Sequence, residues 1–390
     1  MFSGLDSIRR RSLVIAGAIS MAALVACDQI TAPAAPRVDA GEATTVALLV
    51  PSGSGDGGDA VLAQSLENAA RLAMADLPPE IVIDLRIYST AGDPALAQQA
   101  ALTAVSEGAK IVLGPVFAQS ANAAGAAVRD SGVNVLSFSN NTDIAGGNVF
   151  VLGATFQNTA NRLVGFAQSQ GRGNIAMAYA QSTAGQVAAR AVESAIQQSG
   201  ATLTTRTTYA LSQEDVIAAA PAVADGANAS GATALILTGD PFGELPLLAQ
   251  LLPENGLDPA NVKMIGLTRW DVPASTLSLP GLQGGWFALP DPALQANFTS
   301  RYSSAFQSAP HPIAGLAYDG MAAIGALIAS GQANALSTSA LTQSQGFAGV
   351  NGVFRLLSDG TNQRALAVAE IQESQVVVID PAPRSFSAGF

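Results

Sequence analysis

Residues 44–79 read TTVALLVPSGSGDGGDAVLAQSLENAARLAMADLPP, and the fold class follows from how this stretch changes period. Thr44–Val50 is an unbroken apolar run closed by Pro51, the pattern of a strand covered on both faces. A polar, glycine-rich loop comes next. Then Leu62, Leu66, Ala69, Ala70, Ala73 and Leu77 recur at helical spacing until Pro78-Pro79 ends the helix. A buried strand, a loop and a helix are the first part of a βαβ unit.

The rhythm continues along the chain. Strands are expected at Ile81–Tyr88, Ile111–Leu113, Asn134–Phe138, Ile175–Tyr179, Thr202–Tyr209, Ala234–Leu237 and Val262–Ile265. Helices are expected from Pro94 and over 120–131, 184–199, 213–229 and 243–252. Such alternation implies right-handed crossovers and parallel sheets, and two series of similar size predict two doubly wound α/β lobes. Toward the end, helices at 291–307 and 314–330 follow one another directly. Gly352–Leu357, Ala365–Glu373 and Val376–Asp380 then read as strands, with Ser358-Asp359-Gly360 as a turn. An antiparallel hairpin added to a parallel sheet is the expected end of the chain.

Composition removes several classes of function. The chain has 390 residues, 49% of them apolar and 12% charged, so it is built to bury large cores. Its net charge of −11 is the wrong sign for sequence-independent binding to nucleic acid. One cysteine and one histidine cannot build a structural zinc site or an internal disulfide. No metal or cofactor is expected.

The N-terminus carries an address. Arg9, Arg10 and Arg11 precede an apolar run from Leu13 to Ala26, a length that suits a signal-peptide core better than a membrane span. Leu24-Val25-Ala26-Cys27 resembles the lipobox of bacterial lipoproteins, in which the cysteine is lipidated and becomes the new N-terminus. A cleaved secretory signal with an incidental cysteine, or a short uncleaved anchor, fits the same residues. The Pro- and Ala-rich Thr31–Gly41 reads as a tether outside any core. The expected plan is a signal peptide at 1–26 and a lipidated tether at 27–43. Lobe 1 takes 44–157, lobe 2 takes 158–286, lobe 1 resumes at 287–335, and a hairpin region at 336–390 returns across the lobes.

Several segments, taken together, resemble the type I periplasmic binding proteins of the leucine/isoleucine/valine-binding family. VALLVPSGSG with NAARLAMADL is similar to the family's first strand, ligand loop and helix. GAKIVLGPV and VRDSGVNVLSFSNNTD are similar to its third and fourth strands with their loops. Ala317-Tyr318-Asp319-Gly320 resembles its Ala-Tyr-Asp helix, and Phe347 through Phe354 its final Phe-x-Gly-x-x-Gly segment. The resemblance spans roughly 44–380 and implies two α/β lobes, joined by three crossovers, that close on a ligand.

It also implies a set of candidate ligand residues. In lobe 1 these are Ser52, Ala118-Gln119-Ser120 and Ser139-Asn140-Asn141, where helix-start N–H groups suit an anion such as a carboxylate. Ser120 equally fits a plain helix N-cap, and Ser139, Asn140 and Asn141 equally fit turn chemistry. Lobe 2 departs from the family, since Ala184-Gly185 stands where amino-acid binders carry a Tyr-Gly pair. Thr183 precedes it, Asp240 offers an acid for an ammonium group, and Trp270 offers an aromatic wall. Asp240-Pro241 is also an ordinary helix start.

Other motifs lead nowhere. Gly53-x-Gly55-x-x-Gly58 formally matches a dinucleotide fingerprint, but Asp56 and Asp59 would repel a pyrophosphate. No Gly-x-Ser-x-Gly elbow or Ser-x-x-Lys motif is present, and His311 lies between two prolines. The expected function is therefore that of a non-catalytic envelope lipoprotein, lipid-anchored at the periplasmic face of a bacterial membrane. It binds a small amino-acid-like ligand as the receptor of an ABC importer. The alternative is an activator of a penicillin-binding protein, a related lipoprotein family with this fold that acts by protein contact.

Overall fold

The computed structural model describes residues 34–39 and 41–386. The signal segment and Cys27 lie outside the described residues.

The first part of lobe 1 runs β1 (Thr44–Val50), α1 (Gly57–Ala75), β2 (Ile83–Ser89), α2 (Pro94–Ser106), β3 (Ile111–Leu113), α3 (Ala118–Val128), β4 (Asn134–Ser137) and β5 (Val149–Val151). Its sheet is wholly parallel, in the order β2-β1-β3-β4-β5. The chain then enters lobe 2 with α4 (Phe156–Ser169), β6 (Asn174–Ala180), α5 (Thr183–Ser199), β7 (Thr202–Tyr209), α6 (Gln213–Ala229), β8 (Ala234–Leu237), α7 (Leu245–Glu254), β9 (Lys263–Gly266) and β10 (Trp286–Leu289). It returns to lobe 1 as α8 (Pro292–Phe306), α9 (Ala314–Ala329), α10 (Thr338–Leu341), β11 (Phe347–Gly349) and β12 (Gly352–Leu356). After β13 (Asn362–Arg364) it ends in lobe 2 as the hairpin β14 (Ala367–Gln372) and β15 (Gln375–Asp380). The lobe 2 sheet has the order β15-β14-β10-β9-β8-β6-β7, in which β14 alone runs antiparallel to the other strands. The two-lobed α/β architecture with its closing hairpin is the one the strand–helix rhythm predicts.

Each sheet is covered on both faces, which is why its strands read as continuous apolar runs. In lobe 1, Leu48, Leu113 and Leu136 pack under α1, α8 and α9, while Ala47, Val112 and Val135 pack under α2 and α3. In lobe 2, Leu235, Leu237 and Met264 meet α6 and α7, and Ile175, Met177 and Ile236 meet α4 and α5.

Three expectations need correction. Position 286 is not a boundary, because Trp286–Leu289 is a full strand of lobe 2 and the crossover follows Leu289. Much of 336–390 stays in lobe 1, where Leu336, Leu341, Phe347 and Phe354 join the core. The tether is not wholly free of the core either: Val38 is 8% exposed and its N–H donates to Ala333 O at 2.9 Å.

Candidate ligand cleft

The crossovers decide which surfaces of the lobes face each other. The first leaves the carboxyl end of β5 and passes through residues 152–155 into α4. The second leaves the carboxyl end of β10 through Pro290-Asp291 into α8. Parallel strands share one carboxyl edge, so each lobe turns that edge toward the other. Open α/β sheets bind ligands at this edge, beside the strands where the winding direction reverses. Those points are β1/β3 in lobe 1 and β6/β8 in lobe 2.

The crossovers are tied together by a buried polar network. Arg364 in β13 has a side chain 2% exposed, and donates to Leu152 O through Nε at 2.9 Å and Nη2 at 2.6 Å. Its Nη1 lies 2.9 Å from Asp319 Oδ2 on α9, and its guanidinium stacks 4.8 Å from the Phe354 ring centre. Asp319 is 0% exposed and also accepts from Val350 N at 2.7 Å and Asn351 Nδ2 at 3.0 Å. Asn158 of α4 donates to Asn362 Oδ1 at 2.7 Å, and Asn362 donates to Val151 O and Gly153 O. A buried ion pair survives only when its remaining lone pairs and protons are matched, and this one is matched on both sides.

Five of the candidate residues come from segments at the switch points. Ser52 follows β1, Gln119 and Ser120 follow the β3 loop, Thr183 begins α5 after β6, and Asp240 follows β8. Their side chains differ in availability. Ser52 Oγ lies 2.6 Å from Ser89 Oγ at the surface, and Gln119, Thr183 and Asp240 are exposed. Ser120 is not a helix cap: it is 0% exposed and donates to Gly92 O at 3.0 Å, pinning α3 to the loop after β2. The turn at Gly114-Pro115 approaches β1 so closely that a Cβ on Gly114 would lie 2.3 Å from Leu49 O, at a φ of +87°. Only glycine fits there.

Ser139, Asn140 and Asn141 lie one strand further along, beside the first crossover, where Gly153 N donates to Ser139 O at 3.1 Å. Ser139 Oγ accepts from Asn141 N, and Asn141 Oδ1 accepts from Asp143 N, so both hydroxyl and amide shape the turn. Asn140 is exposed. Asp240 Oδ1 likewise accepts from Phe242 N, leaving its second oxygen outward.

Trp270 is not a cleft wall. It is 0% exposed, set in the lobe 2 core where Cβ atoms on Gly266 and Gly285 would strike its ring at 2.2 and 2.5 Å. Its Nε1 has no partner among the described residues.

The two facing edges are strongly acidic. Asp56, Asp59, Asp93 and Asp143 stand on loops and first helical turns of lobe 1, and Glu214, Asp215, Asp240, Glu244 and Asp271 on those of lobe 2. The one cation among these described loops, Arg269, is already forked onto Asp271. Buried Tyr209 at the end of β7 has its hydroxyl pKa pushed up by burial and by Glu244, to which it donates. The Gly53–Gly58 loop ends with Asp56 capping α1 at 2.7 Å from Gly58 N, so a carboxylate already occupies the helix start a pyrophosphate would need.

Two lobes joined by three strands of chain, with facing carboxyl edges, are the anatomy of a protein that binds by hinged closure. A periplasmic binding protein family model matches residues 43–375, and the chain belongs to that family. Three solved structures share the fold. One is a branched-chain amino acid ABC transporter periplasmic ligand-binding protein from Burkholderia xenovorans, with 15% identity, TM-score 0.67, and 87% of this chain and 96% of that one covered. A second is an ABC transporter substrate-binding protein from Desulfitobacterium hafniense in complex with Leu, with 17% identity, TM-score 0.63, and coverage of 87% and 100%. The third is a solute-binding protein of an ABC transporter from Rhodopseudomonas palustris holding 3,4-dihydroxybenzoic acid, with 17% identity, TM-score 0.59, and coverage of 89% and 98%. A search of curated protein sequences finds no significant match. Among the described residues no helix is long and apolar enough to cross a membrane.

Proposed function

We propose that this protein is the receptor component of an ABC importer, held by lipid on Cys27 at the periplasmic face of a bacterial membrane. Its ligand is amino-acid-like. The observation that carries the reading is the pair of carboxyl edges facing across a hinge, each bringing switch-point loops to one cleft. The chemistry of those loops suits a zwitterion. The helices α1 and α2 are capped by Asp56 and Asp93, whereas α3 begins after Phe117 with no side-chain cap. Its first N–H groups are therefore open to a carboxylate. Asp240 and the other edge carboxylates suit the ammonium group. A ligand touching both lobes favours the closed state by its differential affinity for that state.

A thermal-shift screen of the purified protein against amino acids tests this. A cleft ligand at 100 times its Kd stabilises by about 2.7 kcal/mol, and the melting point rises with ligand concentration. Lipidation is tested separately, since Cys27→Ser abolishes labelling by radioactive palmitate if the anchor is there. The second reading, activation of a penicillin-binding protein, is favoured by one feature: with Trp270 buried and Ala184-Gly185 in place of Tyr-Gly, lobe 2 offers the cleft no large aromatic wall from these positions. A flat amino-acid screen together with co-purification of a penicillin-binding protein would decide for it.

A further inference from the structure

A cavity of about 570 Å³ opens away from the switch-point loops, between α4, α5 and the edge strand β13. Its size falls in the range of small-molecule sites, roughly 300–1,000 Å³. The helix α4 supplies Asn158, Asn161, Arg162, Gly165 and Phe166, and the end of α5 supplies Ala195, Gln198 and Ser199. Gln363 and Arg364 of β13 close the third side.

The chemistry of this lining has a direction. No carboxylate is among the lining residues. Several donors are left over after the protein's own bonds are made. Arg162 spends Nε on Leu366 O at 2.6 Å and Nη2 on Asp380 Oδ2 at 2.6 Å, while Nη1 meets no acceptor among the described residues. The amide of Asn161 is anchored through its oxygen, which accepts from Gln157 Nε2 at 2.7 Å, so its NH₂ is unspent. Gln363 is anchored the same way, its Oε1 accepting from Arg355 Nε at 2.6 Å. The floor is apolar, made by Phe166, Ala195 and Gly165, where an added Cβ would meet nothing within 4 Å. A guanidinium with two amide donors suits a carboxylate, and an apolar floor suits a hydrocarbon or aryl body.

We propose that this cavity is a second ligand site, separate from the cleft, for a small carboxylate with an apolar body. The arginine and amides hold the carboxylate, and the body lies over Gly165 against Phe166. The site has a built-in reporter, because Trp286 packs edge-on against Phe166 with ring centres 4.9 Å apart.

The test is titration of the purified protein with phenylacetate, followed by tryptophan fluorescence and by calorimetry. Saturable one-site binding is expected, with the neutral phenylacetamide at least ten-fold weaker. Gly165→Leu puts a side chain into the open floor and improves the helix, so the variant folds; it should abolish binding. Asn161→Asp sets a negative charge against the ligand and should weaken binding ten-fold or more. Asp240→Asn, on the cleft edge, should leave it unchanged. Failure of phenylacetate to saturate, equal affinity for the amide, or unaltered binding in Gly165→Leu would each overturn the proposal.

Discussion

Asp319→Ala is expected to lower the stability of the protein by roughly 3–5 kcal/mol, read as a shift in the urea midpoint. The loss comes less from the missing attraction than from what is left behind. Arg364 stays inside with 2% of its side chain exposed, and the N–H of Val350 and amide of Asn351 lose their acceptor. Burying an unpaired charge is among the costliest single changes a fold can suffer. The double variant Asp319→Leu with Arg364→Met separates the two contributions. It removes both charges together and should recover part of the loss, leaving the carbonyl of Leu152, the N–H of Val350 and the amide of Asn351 as the unmatched groups. A single-variant cost below about 1 kcal/mol would mean that the pair does not hold the crossovers together.

Trp270→Ala should cost about as much, roughly 3–5 kcal/mol, and should leave cleft chemistry intact. The indole fills a space created by two glycines, with Phe287 tilted against it at 6.4 Å between ring centres. Truncation leaves a void that glycine neighbours cannot fill. Trp270→Phe should cost less than half as much, because it also removes an Nε1 that has no acceptor among the described residues. A wall of the ligand site would behave oppositely, losing affinity while the melting point of the unliganded protein held.

The contrast between these two residues shows how far sequence reasoning reaches. Period and punctuation in Thr44–Pro79 suffice for a strand, a loop and a helix, because they report local geometry and two-sided burial. Val149–Val151 and Trp286–Leu289 pass unnoticed, whereas Ile111–Leu113 and Ala234–Leu237, of the same lengths, are legible from their place in the strand–helix rhythm. The helix Phe156–Ser169 also passes unnoticed, although Phe156, Ala160, Leu163, Val164 and Ala167 stand at helical spacing. Its Asn- and Gln-rich outer face gives the stretch the composition of a loop. That omission hides the whole second cavity. Partners distant in sequence are illegible for a different reason. Asp319 and Arg364 are 45 residues apart, and nothing local distinguishes their pairing from that of any other acid and base. The cleft residues stand between these cases: strand order places Ser52, Gln119, Thr183 and Asp240 at the switch points, but only packing shows that Ser120 and Trp270 are turned inward.

The interleaving of the two lobes bears on the order in which the molecule can be made. Lobe 1 lacks α8, α9, β11 and β12 until the chain has passed residue 356, and lobe 2 lacks β14 and β15 until it has passed residue 380. During synthesis and export the apolar edge of β10, later paired with β14, has no partner. An unpaired, buried-type strand edge is a template for association with other chains. The closing hairpin is therefore also a folding checkpoint. The lobe 2 sheet is not complete, and the Arg364 clamp cannot form, in a chain that stops short of its C-terminal segment, so half-made copies are marked by an open edge on lobe 2.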